Sequence, residues 1–204
     1  KPQVIRGILL LNQLFGAHTH YVPFGGGRGG SLTIETTSRL VKMLSTIRVG
    51  PGAYFIPVGG HNVTGCLGYV LAALEIHEQL DELGLTDQPV TVVTAAGTGG
   101  TLAGLMAGFK LGGSQAKVLG IDIGKLWKSF PASIARLAND LCSALGEPGR
   151  FRPDKMPMIE DRYADPGYAQ ISDEVPDAIK LLAQMEGIIL DPYTPEKLLQ
   201  ALST

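Results

Sequence analysis

Two rhythms of apolar and polar positions run along this chain. From Thr64 to Gly84 the text TGCLGYVLAALEIHEQLDELG sets Leu67, Val70, Leu71, Leu74 and Ile76 on a helical stripe, and Gly84 ends it. PVTVVTAA (89–96) is instead β-branched and apolar on both faces, the pattern of a central parallel strand. The same two rhythms assign the remaining elements. RGILLLNQLFG reads as a helix with Gly16 past its end, and HTHYVP as a short strand. Ser31 caps the helix LTIETTSRLVKMLSTIRVG. AYFIPVGG reads as a strand entering a glycine turn, TLAGLMAGFKLG as a helix, and AKVLGIDIG as a buried strand. Helices follow at SFPASIARLANDLCSAL and VPDAIKLLAQMEG, then a short strand IIL. A last helix in DPYTPEKLLQAL has Thr194 as cap and Pro195 at its first position. Strands alternating with helices predict an α/β fold with an open, mainly parallel sheet flanked by helices.

Composition narrows the function classes. Of 204 residues, 45% are hydrophobic and 18% charged, which suits a packed core and not a disordered chain. A net charge of −2, with no long run of like charge, argues against nucleic acid or an anionic membrane surface as partner. No apolar run approaches the ~20 residues a membrane span needs. Cys66 and Cys142 are too few for a disulfide framework and lack metal-ligand spacing, so no metal site and a reducing, cytoplasmic setting are expected.

The 27 glycines cluster at PFGGGRGG, VGGHNVTG and AAGTGGT. The last cluster joins an apolar strand to a helix. Helix starts carry unpartnered N–H groups and the positive end of the dipole. Gly97, Gly99 and Gly100 would let an anion reach that backbone, and Thr98 and Thr101 would add hydroxyl donors, making a phosphate cradle. A tight turn needing glycine only for packing is the plainer alternative. A nucleotide P-loop is excluded because GxxxxGK[ST] is not met. A dinucleotide loop is disfavoured because the third glycine of GxGxxG is Leu102, although Asp122 could serve as its ribose-binding acid. A cradle without lysine suits a single phosphate monoester held by backbone amides.

Several segments resemble one family. AAGTGGTLAG looks like the phosphate loop of pyridoxal-phosphate enzymes of the tryptophan-synthase β group, fold type II. PVGGHNVTGCLGYVLAALEI resembles the GGSNxLGxLGYVxxAxEI segment of D-cysteine desulfhydrases and 1-aminocyclopropane-1-carboxylate (ACC) deaminases. GYAQISDEVPDAIKLLAQMEGIILDPYTPEK resembles their GYGxPxxExxEAIxLLAxxEGxxLDPVYTGK. The resemblance implies pyridoxal 5'-phosphate as cofactor, with its phosphate on Gly97–Thr101, and a small amino acid as substrate. It also implies active-site tyrosines at Tyr168 and Tyr193, a substrate contact at Asn62, a polar neighbour of the pyridine nitrogen at Thr194, and a homodimer. Deaminases of the group usually carry glutamate at that last position; desulfhydrase-like members carry threonine. A carboxylate keeps the ring nitrogen protonated and a hydroxyl need not, so Thr194 favours β-elimination from a D-amino acid such as D-cysteine.

The sequence departs from the family at several points. His61 replaces a serine, and as a glycine-turn histidine it reads either as reaching the site or as facing solvent. DPYTPEK lacks the residue between Pro and Tyr of DPVYTGK and has proline where that motif has glycine, which shifts the register of Tyr193 and Thr194 by about one residue. The resemblance places the Schiff-base lysine in an N-terminal NKxRK-like motif, and none of Lys1, Lys42, Lys110, Lys117, Lys125, Lys128, Lys155, Lys180 and Lys197 has that context. The expectation is thus an incomplete family fold. Residues 1–50 would belong to a smaller domain and 51–204 to the core of a larger cofactor-binding domain. Three readings stay open: a desulfhydrase-like lyase, an ACC deaminase-like enzyme, and a non-catalytic binder of phosphate ligands.

Overall fold

A computed structural model describes residues 5–19, 34–123, 130–159 and 175–190. The chain divides into two compact units, Lys1–Phe55 and Ile56–Thr204. The first carries helices α1 (Ile8–Leu14) and α2 (Ile34–Val49). The second carries α3 (Val63–Glu82), β1 (Thr91–Ala96), α4 (Gly100–Leu111), β2 (Lys117–Asp122), α5 (Phe130–Ala144), β3 (Met158–Ile159) and α6 (Val175–Glu186). Ser31, most of HTHYVP and the last helix lie outside the described residues.

The three strands form a parallel sheet in the order β1-β2-β3. Thr91 pairs with Lys117 and the register runs to Ala96 with Asp122; Gly120 pairs with Met158. The central strand among the described residues is therefore β2 and not PVTVVTAA, which forms the edge. Burial agrees: four consecutive residues of β1 are only partly covered, whereas β2 is buried at Val118 and again over Gly120–Asp122. An apolar run predicts a strand that can be covered on both faces, but pairing in space decides which strand is central.

The core lies where α3, α4 and α5 pack with the sheet, around Cys66, Val70, Leu102, Phe109, Ile134 and Leu141. On α3 the expected stripe is only partly right. Val70 is buried, but Leu67 and Leu71 are exposed, Leu71 at 66%. The inward line is Cys66, Val70 and Ala73. The helix is apolar on most of its circumference, so period alone could not choose the face. Small residues were chosen because α4 approaches closely there.

That approach depends on a glycine line along α4 at Gly100, Gly104, Gly108 and Gly112. A Cβ at Gly100 would sit 2.9 Å from Cys66 Sγ. One at Gly104 would fall on Tyr69 Cβ, one at Gly108 would lie 2.6 Å from the Val70 carbonyl oxygen, and one at Gly112 would be 2.8 Å from Leu74 Cδ2. Glycine every fourth residue was the available sequence signal for a close helix seam. The strand contact uses the opposite arrangement: a Cβ at Gly120 of β2 would meet Leu102 of α4 at 2.5 Å. In a dinucleotide loop the glycine making room for helix–strand contact sits on the helix. Here it sits on the strand, and Leu102 fills the space.

Two strand expectations fail. Residues 53–57 are not a strand but lead into a 3-10 turn at Val58–Gly60, and no described strand pairs with them. IIL is likewise irregular, with Ile189 largely exposed. Both are short apolar runs, and a strand forms only where a partner offers its hydrogen bonds.

Candidate functional site

Thr91–Ala96 ends at Gly97, and Gly100 opens α4 on the other side of a three-residue turn. Crevices beyond the carboxyl ends of parallel strands are where α/β sheets bind ligands. Gly99 is the N-cap of α4 and has left-handed backbone, φ +77°. No side chain caps this helix. Its first-turn amides thus point past a glycine surface with the dipole behind them, which suits a phosphate. Asp122, buried, ends β2 beside Ala96 at the same end of the sheet.

The three glycines have different reasons. Gly99 is required by the fold, because φ is positive and an added Cβ would fall on Ile134 and lie 3.1 Å from Phe130 Cε2. Gly100 is required by Cys66 Sγ. Gly97 has neither constraint: its Cβ would meet only Ile123, at 3.6 Å, an ordinary contact. Packing explains two of the three, and the space at Gly97 leaves that backbone open to a close approach.

The adjoining turn is built against this loop. A Cβ at Gly59 would fall on the Thr98 side chain. Asn62 Oδ1 accepts the Gly65 N–H at 2.7 Å and caps α3. Asn62, expected to touch substrate, is therefore placed near the cradle turn in a capping role. Asn62→Ala should cost about 1 kcal/mol of stability, read by denaturant titration, and an unchanged midpoint would reject the cap.

His61 is the site residue whose surroundings the sequence left open. It is partly buried, and its Nε2 lies 2.9 Å from Ser133 Oγ on the first turn of α5. Burial pushes the imidazole below the usual histidine value, while hydrogen bonding to the Thr98 backbone and at Ser133 pulls the other way. Ser133 had no sequence signal, because it lies 72 residues away. With the native value lowered, the unfolded chain binds more protons below pH 6.5. The contribution to stability is present above that pH and is lost as pH falls below it toward the lower native value. Melting temperature should therefore drop more between about pH 7.5 and about pH 5.5 in the wild type than in His61→Gln; equal drops would contradict it.

Tyr168, Tyr193 and Thr194 lie outside the described residues. Among the described residues no group of three or more His, Cys, Asp or Glu could hold a metal, and no helix is long and apolar enough to cross a membrane.

Comparison with known proteins identifies the family. Residues 3–202 match the family model described as pyridoxal-phosphate dependent enzyme. The D-cysteine desulfhydrase of Klebsiella pneumoniae is 34% identical over 149 residues, which are 73% of this chain and 43% of that protein. The 1-aminocyclopropane-1-carboxylate deaminase of Mesorhizobium japonicum is 32% identical over 197 residues, 96% of this chain and 56% of that protein. A solved structure of an ACC deaminase homologue superposes with a TM-score of 0.73 at 27% identity, over 99% of this chain and 57% of the other. The chain spans about half the length of these relatives. With its glycine turn at the strand–helix junction, its parallel sheet and a family match over nearly its whole length, the chain belongs to the pyridoxal-phosphate-dependent enzymes, in the group that includes ACC deaminases and D-cysteine desulfhydrases.

Proposed function

We propose that this chain is the cofactor-cradling part of a lyase that eliminates the β-substituent of a small D-amino acid, with D-cysteine as the preferred substrate. The observation that carries the reading is the start of α4, built from glycine, without a side-chain cap, at the carboxyl end of a parallel strand. Gly97–Thr101 would hold the phosphate of pyridoxal phosphate through backbone amides and the two threonine hydroxyls. The cofactor, when bound, supplies the electron sink for breaking bonds at the substrate α-carbon.

The chain's own residues bind and orient. The α4 dipole neutralises phosphate charge, and the turn around Asn62 shapes the adjoining wall. Tyr168 and Tyr193, carried over from the family resemblance, would line the substrate pocket. Thr194 favours elimination over ring opening, because a hydroxyl does not hold a pyridine nitrogen protonated as a carboxylate does. The overall change is D-cysteine plus water to pyruvate, ammonia and hydrogen sulfide.

The test is incubation of the full-length protein that contains this chain with pyridoxal phosphate and D-cysteine. Sulfide and pyruvate are expected in equal amounts. Conversion of ACC to 2-oxobutyrate without sulfide from D-cysteine would overturn the substrate and support the second reading, which the Mesorhizobium japonicum relative favours. Cofactor binding with neither turnover would support a binding protein.

A further inference from the structure

We propose that His61 and Ser133 form a positioning pair that sets the shape of the phosphate cradle, and so the affinity for a phosphate monoester; the inference rests on the cradle reading above. The 3-10 turn ends at His61, whose Nε2 meets Ser133 Oγ on α5 at 2.9 Å, so one imidazole ties that turn to α5. The same turn also packs Gly59 directly on the Thr98 side chain.

The physical need is clear from the cradle's composition. Three glycines in five residues leave a loop with high conformational freedom, and ordering it on binding costs affinity. Gly99 is held by Ile134 and Phe130 of α5 on one side. The turn that ends at His61 meets the Thr98 side chain at Gly59 on the other, and Ser133 fixes the imidazole that ends this turn. Both anchors are on the same helix, so α5 serves as the frame against which the cradle is set.

The experiment titrates the chain with inorganic phosphate and with pyridoxal phosphate by calorimetry, and measures melting temperature without ligand. His61→Ala should bind both probes roughly fivefold to tenfold more weakly, the loss of about one oriented hydrogen bond. Ser133→Ala should show a smaller loss. The double variant should bind no worse than His61→Ala, because one linkage has been cut twice. His61→Gln, whose amide reaches the Nε2 position, should restore part of the affinity. Affinity equal to wild type in both single variants, with only the melting temperature lowered, would reduce the pair to a packing feature and overturn the inference. Glutamine no better than alanine would do the same. Failure of the wild-type chain to bind either probe would overturn the cradle reading itself, and the inference with it.

Discussion

Gly99→Ala should cost this protein about 2–5 kcal/mol and abolish binding of pyridoxal phosphate. About 1–2 kcal/mol comes from forcing a Cβ into left-handed backbone, and about 1–3 from overpacking a full core. The neighbours are Ile134 and Phe130, both buried, so neither can swing aside. A chain of this size loses roughly 2–4 °C of melting temperature per kcal/mol, so a drop of about 5–20 °C is expected. Gly97→Ala is the contrasting variant. Its backbone is unstrained and its Cβ has room, so the fold should be unaffected. Phosphate affinity should fall nonetheless, because the added methyl stands where the ligand meets the backbone. Calorimetric titration beside a melting curve separates the two. Undiminished affinity in Gly97→Ala would mean the phosphate does not lie against residue 97.

Gly104→Val should be the most damaging single change in the α3–α4 seam. Alanine is a better helix residue than glycine by about 1 kcal/mol, which taken alone predicts stabilisation. Packing decides otherwise. The first added carbon would coincide with Tyr69 Cβ and sit 3.0 Å from the Cys66 carbonyl oxygen, groups tied to the backbone of α3. The helices must separate, and a branched side chain widens the gap, so a loss of about 3 kcal/mol or more is expected. Gly68→Ala, on α3 itself, meets nothing within 4 Å. It should stabilise by about 0.5–1 kcal/mol. Opposite signs in denaturant titration identify the seam. If Gly104→Val were as stable as wild type, the close approach of the two helices would be refuted.

The strand, glycine turn and helix around Gly97–Thr101 were legible in the sequence because they are adjacent in the chain. A β-branched strand, a glycine turn and a helix follow one another between Thr91 and Leu111, and local propensity is enough to assemble them. The same holds for α3, whose stop at Gly84 was read from the sequence and lies in left-handed backbone, φ +68°, whereas its Asn62 cap was read as a substrate contact. The family was legible for a related reason: its motifs are read in order along the chain, over residues 3–202. The roles proposed for Thr194, Tyr168 and Tyr193 rest on that resemblance alone.

Tertiary structure decided what local order could not. PVTVVTAA is a strand by composition, but its place at the edge of the described sheet depends on where β2 and β3 pair. Residues 53–57 and IIL have strand composition and lack a described strand partner. The buried face of α3 was set by α4, whose glycine line admits Cys66 and Ala73 and leaves Leu67 and Leu71 outside. The pairing of His61 with Ser133 joins positions 72 residues apart. Periodicity and capping are short-range effects and are written in consecutive residues. Which face is covered, which strand is central and which distant side chain meets a histidine depend on contacts that exist only after the chain has folded.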